Sequence, residues 1–103
     1  MRPLDTSFTD RSYTYTQVER EGDLAIFQQQ HKENPQVIRY EVVRIRRRAA
    51  QTLLDGTTVP DREAYPSSSS WGIYGWTCRS LEDARQMMRQ LQARAAAPVE
   101  GSP

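Results

Sequence analysis

The residues best suited to chemistry are five arginines in the segment 39–48: Arg39, Arg44, Arg46, Arg47 and Arg48. Guanidinium groups contact phosphates and nearby aromatic rings stack on bases, so this pattern is typical of a nucleic-acid surface. A solvated strand end, or a strand edge protected from aggregation by its charge, has the same composition. An acidic protein partner is a third interpretation. The formal net charge of the whole chain is only +1, which gives no general attraction to nucleic acid.

A second group of residues is aromatic. Residues 71–76 read WGIYGW and contain both tryptophans of the chain. In strand phase Trp71 and Gly75 share one face, while Tyr74 and Trp76 share the other, and a glycine lets another group approach the backbone closely. In one interpretation, one aromatic face packs under a helix and the other supports a loop. In the other, part of this surface binds a partner, because Trp and Tyr dominate binding hot spots. The partner-binding candidates are Tyr65, Trp71, Tyr74 and Trp76.

Residues for catalysis or metal binding are sparse. His31 is the only histidine and Cys78 the only cysteine, so a zinc ligand set and an internal disulfide are not expected. Cys78 precedes a predicted helix, which lowers a thiol pKa, but a buried structural thiol fits the same position. The sequence contains no glycine-rich phosphate loop. We therefore predict a non-enzymatic protein with no catalytic residue, no metal and no cofactor.

The elements that position these residues begin with strands. Residues 12–21 and 24–32 have strand composition and flank the turn EGD, which predicts a hairpin. Residues 36–48 form the next predicted strand, whose pattern slips after Val42. We expect a bulge at Val42–Val43, because the arginines disfavour a strand buried on both faces. Asp55-Gly56 predicts a second hairpin, with positive φ at both residues, inside a flap or long loop over 49–70.

One helix follows the aromatic stretch. Ser80 is a suitable N-cap, and Glu82 and Asp83 suit the positive end of the helix dipole. Leu81, Ala84, Met88, Leu91 and Ala95 recur at helical spacing and form one apolar stripe. Pro98 ends the pattern.

These elements predict an α+β domain. We expect an antiparallel sheet of about four strands with one C-terminal helix packed across one face. The domain spans residues 12–96, between a flexible arm over 1–11 and a disordered tail over 97–103. The start of the chain has no apolar run, and no stretch approaches the length of a membrane span, so we predict a cytoplasmic protein without a membrane partner.

The segment 37–91 resembles a family of small uncharacterised proteins of tailed bacteriophages and prophages. The resemblance rests on YEVVRIRRR, on EAYPSSSS, on WGIYGW and on SLEDA. It implies an accessory protein of unassigned activity inside a bacterial cell. A weaker resemblance is to the WGR domain, which binds nucleic acid and has a WG..G pattern before a helix. Ile73 stands where that family has its arginine.

Together these observations predict a small protein-binding module that contacts a host or phage protein. One specific form is an inhibitor of a bacterial defence system. The alternative is a nucleic-acid-binding accessory protein that uses the arginines of 39–48. Free strand edges in so small a domain would also allow a homodimer.

Overall fold

The computed structural model describes residues 1–96, with side chains through residue 94. Nine strands precede one helix: β1 (Ser7–Asp10), β2 (Tyr13–Glu21), β3 (Leu24–His31), β4 (Ile38–Arg44), β5 (Arg46–Arg48), β6 (Gln51–Thr52), β7 (Thr58–Val59), β8 (Arg62–Ala64), β9 (Gly75–Cys78) and α1 (Leu81–Ala96). A five-stranded antiparallel sheet has the order β1-β2-β3-β4-β9, and β5-β8 and β6-β7 form two small ladders. The predicted α+β class with one C-terminal helix is confirmed, with five strands in the main sheet.

The predicted first hairpin is formed by β2 and β3. Glu21 pairs with Leu24, and Gly22 in the turn has a φ of 61°, a conformation that glycine adopts without a steric penalty. The ladder shifts register between Gln17 and Glu19. Val18 lies at this bulge and is 37% exposed. The bulge of the sheet therefore lies in β2.

The prediction of a bulge in β4 is wrong. β4 pairs with β3 in unbroken register from Ile38 to Arg44. Val42 and Val43 are both fully buried, and they belong to two separate core clusters. Both faces of the sheet are covered here, one by α1 and the other by the segment 62–71. The arginines lie toward the ends of the strand and do not interrupt its buried middle.

The predicted flexible arm over 1–11 is also corrected. Ser7–Asp10 pairs with β2 as the edge strand β1. Closer to the terminus, the backbone of Arg2 bonds to Asp61 and Glu63, and Leu4 packs into the core cluster around Phe27. Arg2 and Leu4 are held by residues 61–63, which are far away in sequence, and sequence periodicity does not report such contacts.

The segment 49–70 contains more regular structure than a loop. β6 and β7 form the predicted hairpin around Asp55-Gly56. Gly56 has a φ of 86°, whereas Asp55 is not among the residues with positive φ. The loop closes through Gly56 N donating to Leu53 O, which is a type I turn followed by a left-handed glycine. The hairpin prediction is thus confirmed, but its turn type is corrected.

The helix matches its prediction at the start. Ser80 Oγ accepts a hydrogen bond of 3.1 Å from the backbone N–H of Asp83, which is the N-cap geometry. The apolar stripe packs on the sheet in a cluster that includes Leu24, Ile26 and Val42. Over residues 1–96 no helix has the length and apolarity to cross a membrane. The predicted tail 97–103 and the side chain of Ala95 lie outside the described part of the structure.

Candidate functional site: an aromatic cleft

A cleft of about 410 Å³ opens on the face of the sheet opposite α1. We call it the aromatic cleft. Its lining residues come from β1, β2, β4 and the segment 65–71: Phe8, Asp10, Tyr15, Glu41, Tyr65, Pro66, Ser68 and Trp71. A second cavity shares Phe8, Tyr15 and Tyr65 with it and continues along β1 past Tyr13 and Arg11.

Four aromatic rings form the walls of the aromatic cleft. Phe8 stacks on Tyr15 with ring centroids 4.8 Å apart. Phe8 and Tyr65 pack edge to face, with ring centroids 5.2 Å apart. Tyr65 lies 6.4 Å from Trp71, with the two ring planes 29° apart. Phe27 is fully buried beneath them and contacts Tyr65 at 5.1 Å. These offset and edge-on arrangements are the favourable ones for aromatic pairs.

Glu41 brings a carboxylate into this aromatic setting. It is 7% exposed, and its Oε1 accepts a hydrogen bond of 2.5 Å from the Tyr65 hydroxyl. Burial raises the pKa of Glu41, and the hydrogen bond from Tyr65 opposes that rise. Burial, followed by the charge of Glu41, raises the pKa of Tyr65 far above its ordinary value. The Tyr65 hydroxyl therefore keeps its proton and acts as the donor.

No cation within the described residues balances the charge of Glu41. The ion pairs formed by residues 1–94 join Arg20 to Glu63, Arg47 to Asp23 and Arg85 to Glu19, and Glu41 belongs to none of them. Its second oxygen, Oε2, is not among the fully buried unpartnered atoms of the described residues, so it is open to the cleft. Buried carboxylates are normally paired with a cation or fully hydrogen-bonded, so Glu41 is an unusual group to find in a cleft.

Tyr15 completes the polar lining. Its hydroxyl accepts a hydrogen bond of 3.0 Å from Gln29 Nε2. Burial is the main cause that raises the pKa of Tyr15, and the negative charges of Glu41 and Asp10 raise it further. The aromatic cleft therefore contains two carboxyl groups and neutral phenols, a set that favours a positively charged occupant.

Trp71 is held in place by the strand β9. A Cβ placed on Gly75 would lie 2.6 Å from Trp71 Cε3, so the indole ring occupies the space that a side chain at position 75 would need. The indole Nε1–H donates to Thr77 Oγ1 at 3.0 Å. The predicted close approach at a glycine of this stretch is thus present, and it fixes one wall of the aromatic cleft.

The structure brings together two of the four predicted partner-binding residues. Tyr65 and Trp71 line the aromatic cleft. Trp76 lies on the other face of the sheet and packs against the cluster under α1. Tyr74 is under the guanidinium of Arg46, whose Cζ is 3.9 Å from the ring centroid. Trp76 and Tyr74 therefore have structural contacts away from the cleft.

The predicted arginine surface is dispersed. Arg47 pairs with Asp23 at 2.7 Å, and Arg46 contacts the ring of Tyr74. Arg39 is exposed and lies opposite Gln29, five residues along β4 from the half-buried Arg44. Arg48 is exposed on β5. Strand alternation places Arg47 on the side of β5 opposite to Arg46 and Arg48, so the five arginines do not all share one face.

Six lining residues are not among the candidates predicted from the sequence: Phe8, Asp10, Tyr15, Glu41, Pro66 and Ser68. Phe8 and Asp10 lie in the predicted arm, Pro66 and Ser68 in the predicted loop, and Tyr15 contributes only to strand composition. Glu41 is the informative case, because an acidic residue between Tyr40 and Val42 looks like an ordinary solvent-facing position. Its strand is buried on both faces, so the alternation of side chains turns Glu41 inward.

No family model, curated protein or solved structure matches this chain. The resemblances to tailed-phage proteins and to the WGR domain therefore stay predictions.

Proposed function

We propose that this protein is a small protein-binding module and that the aromatic cleft is its binding site. The observation that carries the proposal is the convergence of Tyr65 and Trp71 on one open cleft, together with Phe8 and Tyr15. Aromatic side chains provide large contact areas with few rotatable bonds, and they are enriched at binding hot spots. A volume of about 410 Å³ fits one or two amino-acid side chains of a partner.

The two tyrosines of the aromatic cleft are poorly suited to catalysis near neutral pH. Tyr15 and Tyr65 have raised pKa values, so neither is prepared to act as a base or a nucleophile near neutral pH. Glu41 Oε1 accepts a hydrogen bond from Tyr65. We therefore assign no catalytic residue.

The resemblance to tailed-phage proteins is the basis for the identity of the partner. We infer a host or phage protein in the bacterial cytoplasm, and inhibition of a host defence system is one role of this kind. A homodimer through the edges of β1 or β9 is a separate prediction, and the β1 edge carries Phe8 and Asp10 of the cleft lining.

The test blocks the aromatic cleft without altering its core. Ser68 lines the cleft, whereas Ser69 is exposed in the same short 3-10 turn and is not among the lining residues. We would capture partners from nuclease-treated bacterial lysate with the wild type, Ser68→Trp and the matched control Ser69→Trp. The protein that the wild type retains most strongly is then purified, whether or not Ser68→Trp also retains it. We expect its affinity for Ser68→Trp to be at least tenfold weaker, and within about twofold of wild type for Ser69→Trp.

Two results would contradict the proposal. One is a partner that binds Ser68→Trp and the wild type equally, which would put the interface elsewhere. The other is that the wild type recovers only nucleic acid from lysate without nuclease treatment. In that case the double variant Arg39→Glu/Arg48→Glu should lose the nucleic acid. That second result would favour the nucleic-acid alternative, because both of these arginines are exposed.

A further inference from the structure

The unusual group in the aromatic cleft is Glu41, a buried carboxylate whose counter-charge the described residues do not provide. Removing a carboxylate from water is costly unless a cation or several donors compensate. The Tyr65 hydroxyl supplies one donor, at 2.5 Å. Asp10, which lines the same cleft, adds a second carboxyl group and no positive charge. The cleft therefore has an excess of negative charge at a site that water reaches only partly.

The aromatic walls, like the carboxyl groups, attract cations. The faces of Tyr and Trp rings carry negative electrostatic potential and attract ammonium and guanidinium groups within about 6 Å, most strongly where water is excluded. Tyr65 and Trp71 face each other at 6.4 Å with similar ring planes. Arg46 over Tyr74, at 3.9 Å, is an example of the same contact in this protein. Aromatic walls and carboxylates together select an organic cation.

We propose that the aromatic cleft binds a lysine or arginine side chain of the partner polypeptide, with its cation beside Glu41 and Asp10 and its alkyl stem against the aromatic rings. The inference rests on the proposed function, because it names the group of the partner that enters the cleft. Charge complementarity is the argument for this occupant. The basic side chain supplies the counter-charge that Glu41 lacks within the described part of the chain.

The proposal has a pH signature. The groups that face Glu41 are the hydroxyl of Tyr65, which bonds to it, and Tyr15, whose pKa the charge of Glu41 raises, while Asp10 lines the same cleft. The tyrosines stay neutral across the acidic range. The pKa of Glu41 is raised by burial, and a cation bound beside it would lower that pKa again. Binding should therefore strengthen as pH rises through the pKa of free Glu41 and weaken below it.

The experiment uses small probes and the two tryptophans as internal reporters. The ¹⁵N-labelled protein is titrated with N-acetyl-arginine amide, N-acetyl-lysine amide and two uncharged relatives of similar shape, N-acetyl-citrulline amide and N-acetyl-norleucine amide. The indole N–H signal of Trp71 reports on the cleft, and that of Trp76, on the opposite face, is the control. We expect saturable shifts of the Trp71 signal with one or both charged probes, and little change at Trp76.

Variants identify the charge that is responsible. Glu41→Gln keeps an acceptor for Tyr65 and removes the charge, and Asp10→Asn tests the more exposed carboxyl group. We expect binding of the charged probes to weaken at least tenfold in Glu41→Gln and severalfold in Asp10→Asn. Glu33→Gln, in an exposed turn, should bind like the wild type. Should Glu41→Gln unfold, the Asp10→Asn and pH measurements decide the question.

The outcomes separate this inference from the proposed function. Equal binding of the charged probes and norleucine amide would overturn the cation inference and leave a protein-binding cleft for apolar side chains. Parallel shifts at Trp71 and Trp76 would also overturn it, because the probes would then bind without a site. If no probe binds and Ser68→Trp retains the partner, the proposed function fails as well. A free polyamine that binds more tightly than the probes and competes with the partner would overturn the choice of a polypeptide side chain.

Discussion

At the residue scale, Gly75 determines where Trp71 lies. The indole occupies the volume above Gly75 and donates to Thr77, two residues further along β9. This contact joins the wall of the aromatic cleft to the edge strand of the sheet. Gly75 is required here for the space it leaves, because it is not among the glycines with positive φ.

A double-mutant cycle tests this contact. We expect Gly75→Ala to lower the free energy of unfolding by about 1–3 kcal/mol, because its methyl group must displace the Trp71 ring. In a Trp71→Ala background the same change should cost much less, since the ring is gone. Urea unfolding of the four proteins measures the coupling. Additive effects of the two changes would mean that the ring does not rest on Gly75.

Glu41 illustrates how position overrides residue type. Burial raises its pKa above the ordinary value of 4.5, so the folded state holds its proton to a higher pH than the unfolded chain does. Its contribution to stability is therefore fully present below about pH 4.5 and is lost as pH rises through the folded-state pKa.

The corresponding prediction concerns Glu41→Gln. This variant keeps an acceptor for Tyr65 and cannot ionise. The stability of the wild type relative to Glu41→Gln should therefore fall as pH rises from about 4 to 7. Thermal unfolding at several pH values, with Glu33→Gln as the exposed control, measures this difference. A constant difference across that range would show that Glu41 titrates in the folded protein as it does in the unfolded chain.

At the element scale, the N-terminal segment is part of the fold. Glu63 on β8 is its anchor, because Glu63 Oε1 accepts a hydrogen bond from Leu4 N at 2.9 Å. Arg20 on β2 donates to both oxygens of the same carboxylate, at 2.8 and 2.6 Å. These bonds connect three segments that are far apart in sequence, and they position β1, which carries Phe8 and Asp10.

Two leucines test the role of this segment. Leu4 is half-buried and packs against the core cluster around Phe27, whereas Leu54 is fully exposed at the tip of the β6-β7 hairpin. We expect Leu4→Ala to lower the free energy of unfolding by about 1–2 kcal/mol and Leu54→Ala to change it by less than about 0.5 kcal/mol. Equal, small effects in urea unfolding would restore the interpretation of residues 1–11 as a loose arm.

The helix contributes through its apolar stripe. Met88 is 4% exposed and faces the sheet with Ala84 and Leu91, while its neighbour Arg89 is exposed. Met88→Ala should cost about 2–5 kcal/mol of unfolding free energy, because it leaves a cavity in the core. Arg89→Ala should stay within about 0.5 kcal/mol. Comparable losses for the two variants, measured by urea unfolding, would mean that α1 is not docked along this face.

At the scale of the whole molecule, one sheet separates two surfaces of different character. The helix closes one face with an apolar cluster, and the segment 62–71 covers the other with aromatic rings. Each tryptophan belongs to one of these faces. The aromatic cleft exists because the segment 62–71, which covers this face of the sheet, is short and does not extend over all of β1 and β2.

Acid stability is a property of the whole molecule that Glu63 controls. Hydrogen bonds from Arg20 and from Leu4 N lower the pKa of Glu63 to about 2, below the ordinary value of 4.5. Stability from this carboxylate is present above about pH 4.5 and is lost as pH falls toward 2. The stability advantage of the wild type over Glu63→Gln should therefore shrink across that range in thermal unfolding. An advantage that stays constant down to pH 2 would contradict the bonded arrangement.

The sequence by itself determined the local features. The turn EGD, the Asp-Gly loop, the Ser80 cap and the stripe from Leu81 to Leu91 depend on neighbours within a few residues, and all four elements are present. The α+β class follows from their order. The close approach at a glycine of WGIYGW was predictable for the same reason, since a glycine beside aromatic residues leaves space that a ring can fill.

Only the tertiary structure decided which faces of the strands are buried. A second cover over the sheet buried Val43 on the face opposite to Val42 and α1, turned Glu41 inward and drew residues 2–10 into the fold. It also separated Trp71 from Trp76 and dispersed the arginines of 39–48. These outcomes depend on contacts between residues that are far apart in the sequence. A short stretch of sequence does not include both partners of such a contact. The aromatic cleft arises at the junction of such contacts, and tertiary packing therefore created the candidate site.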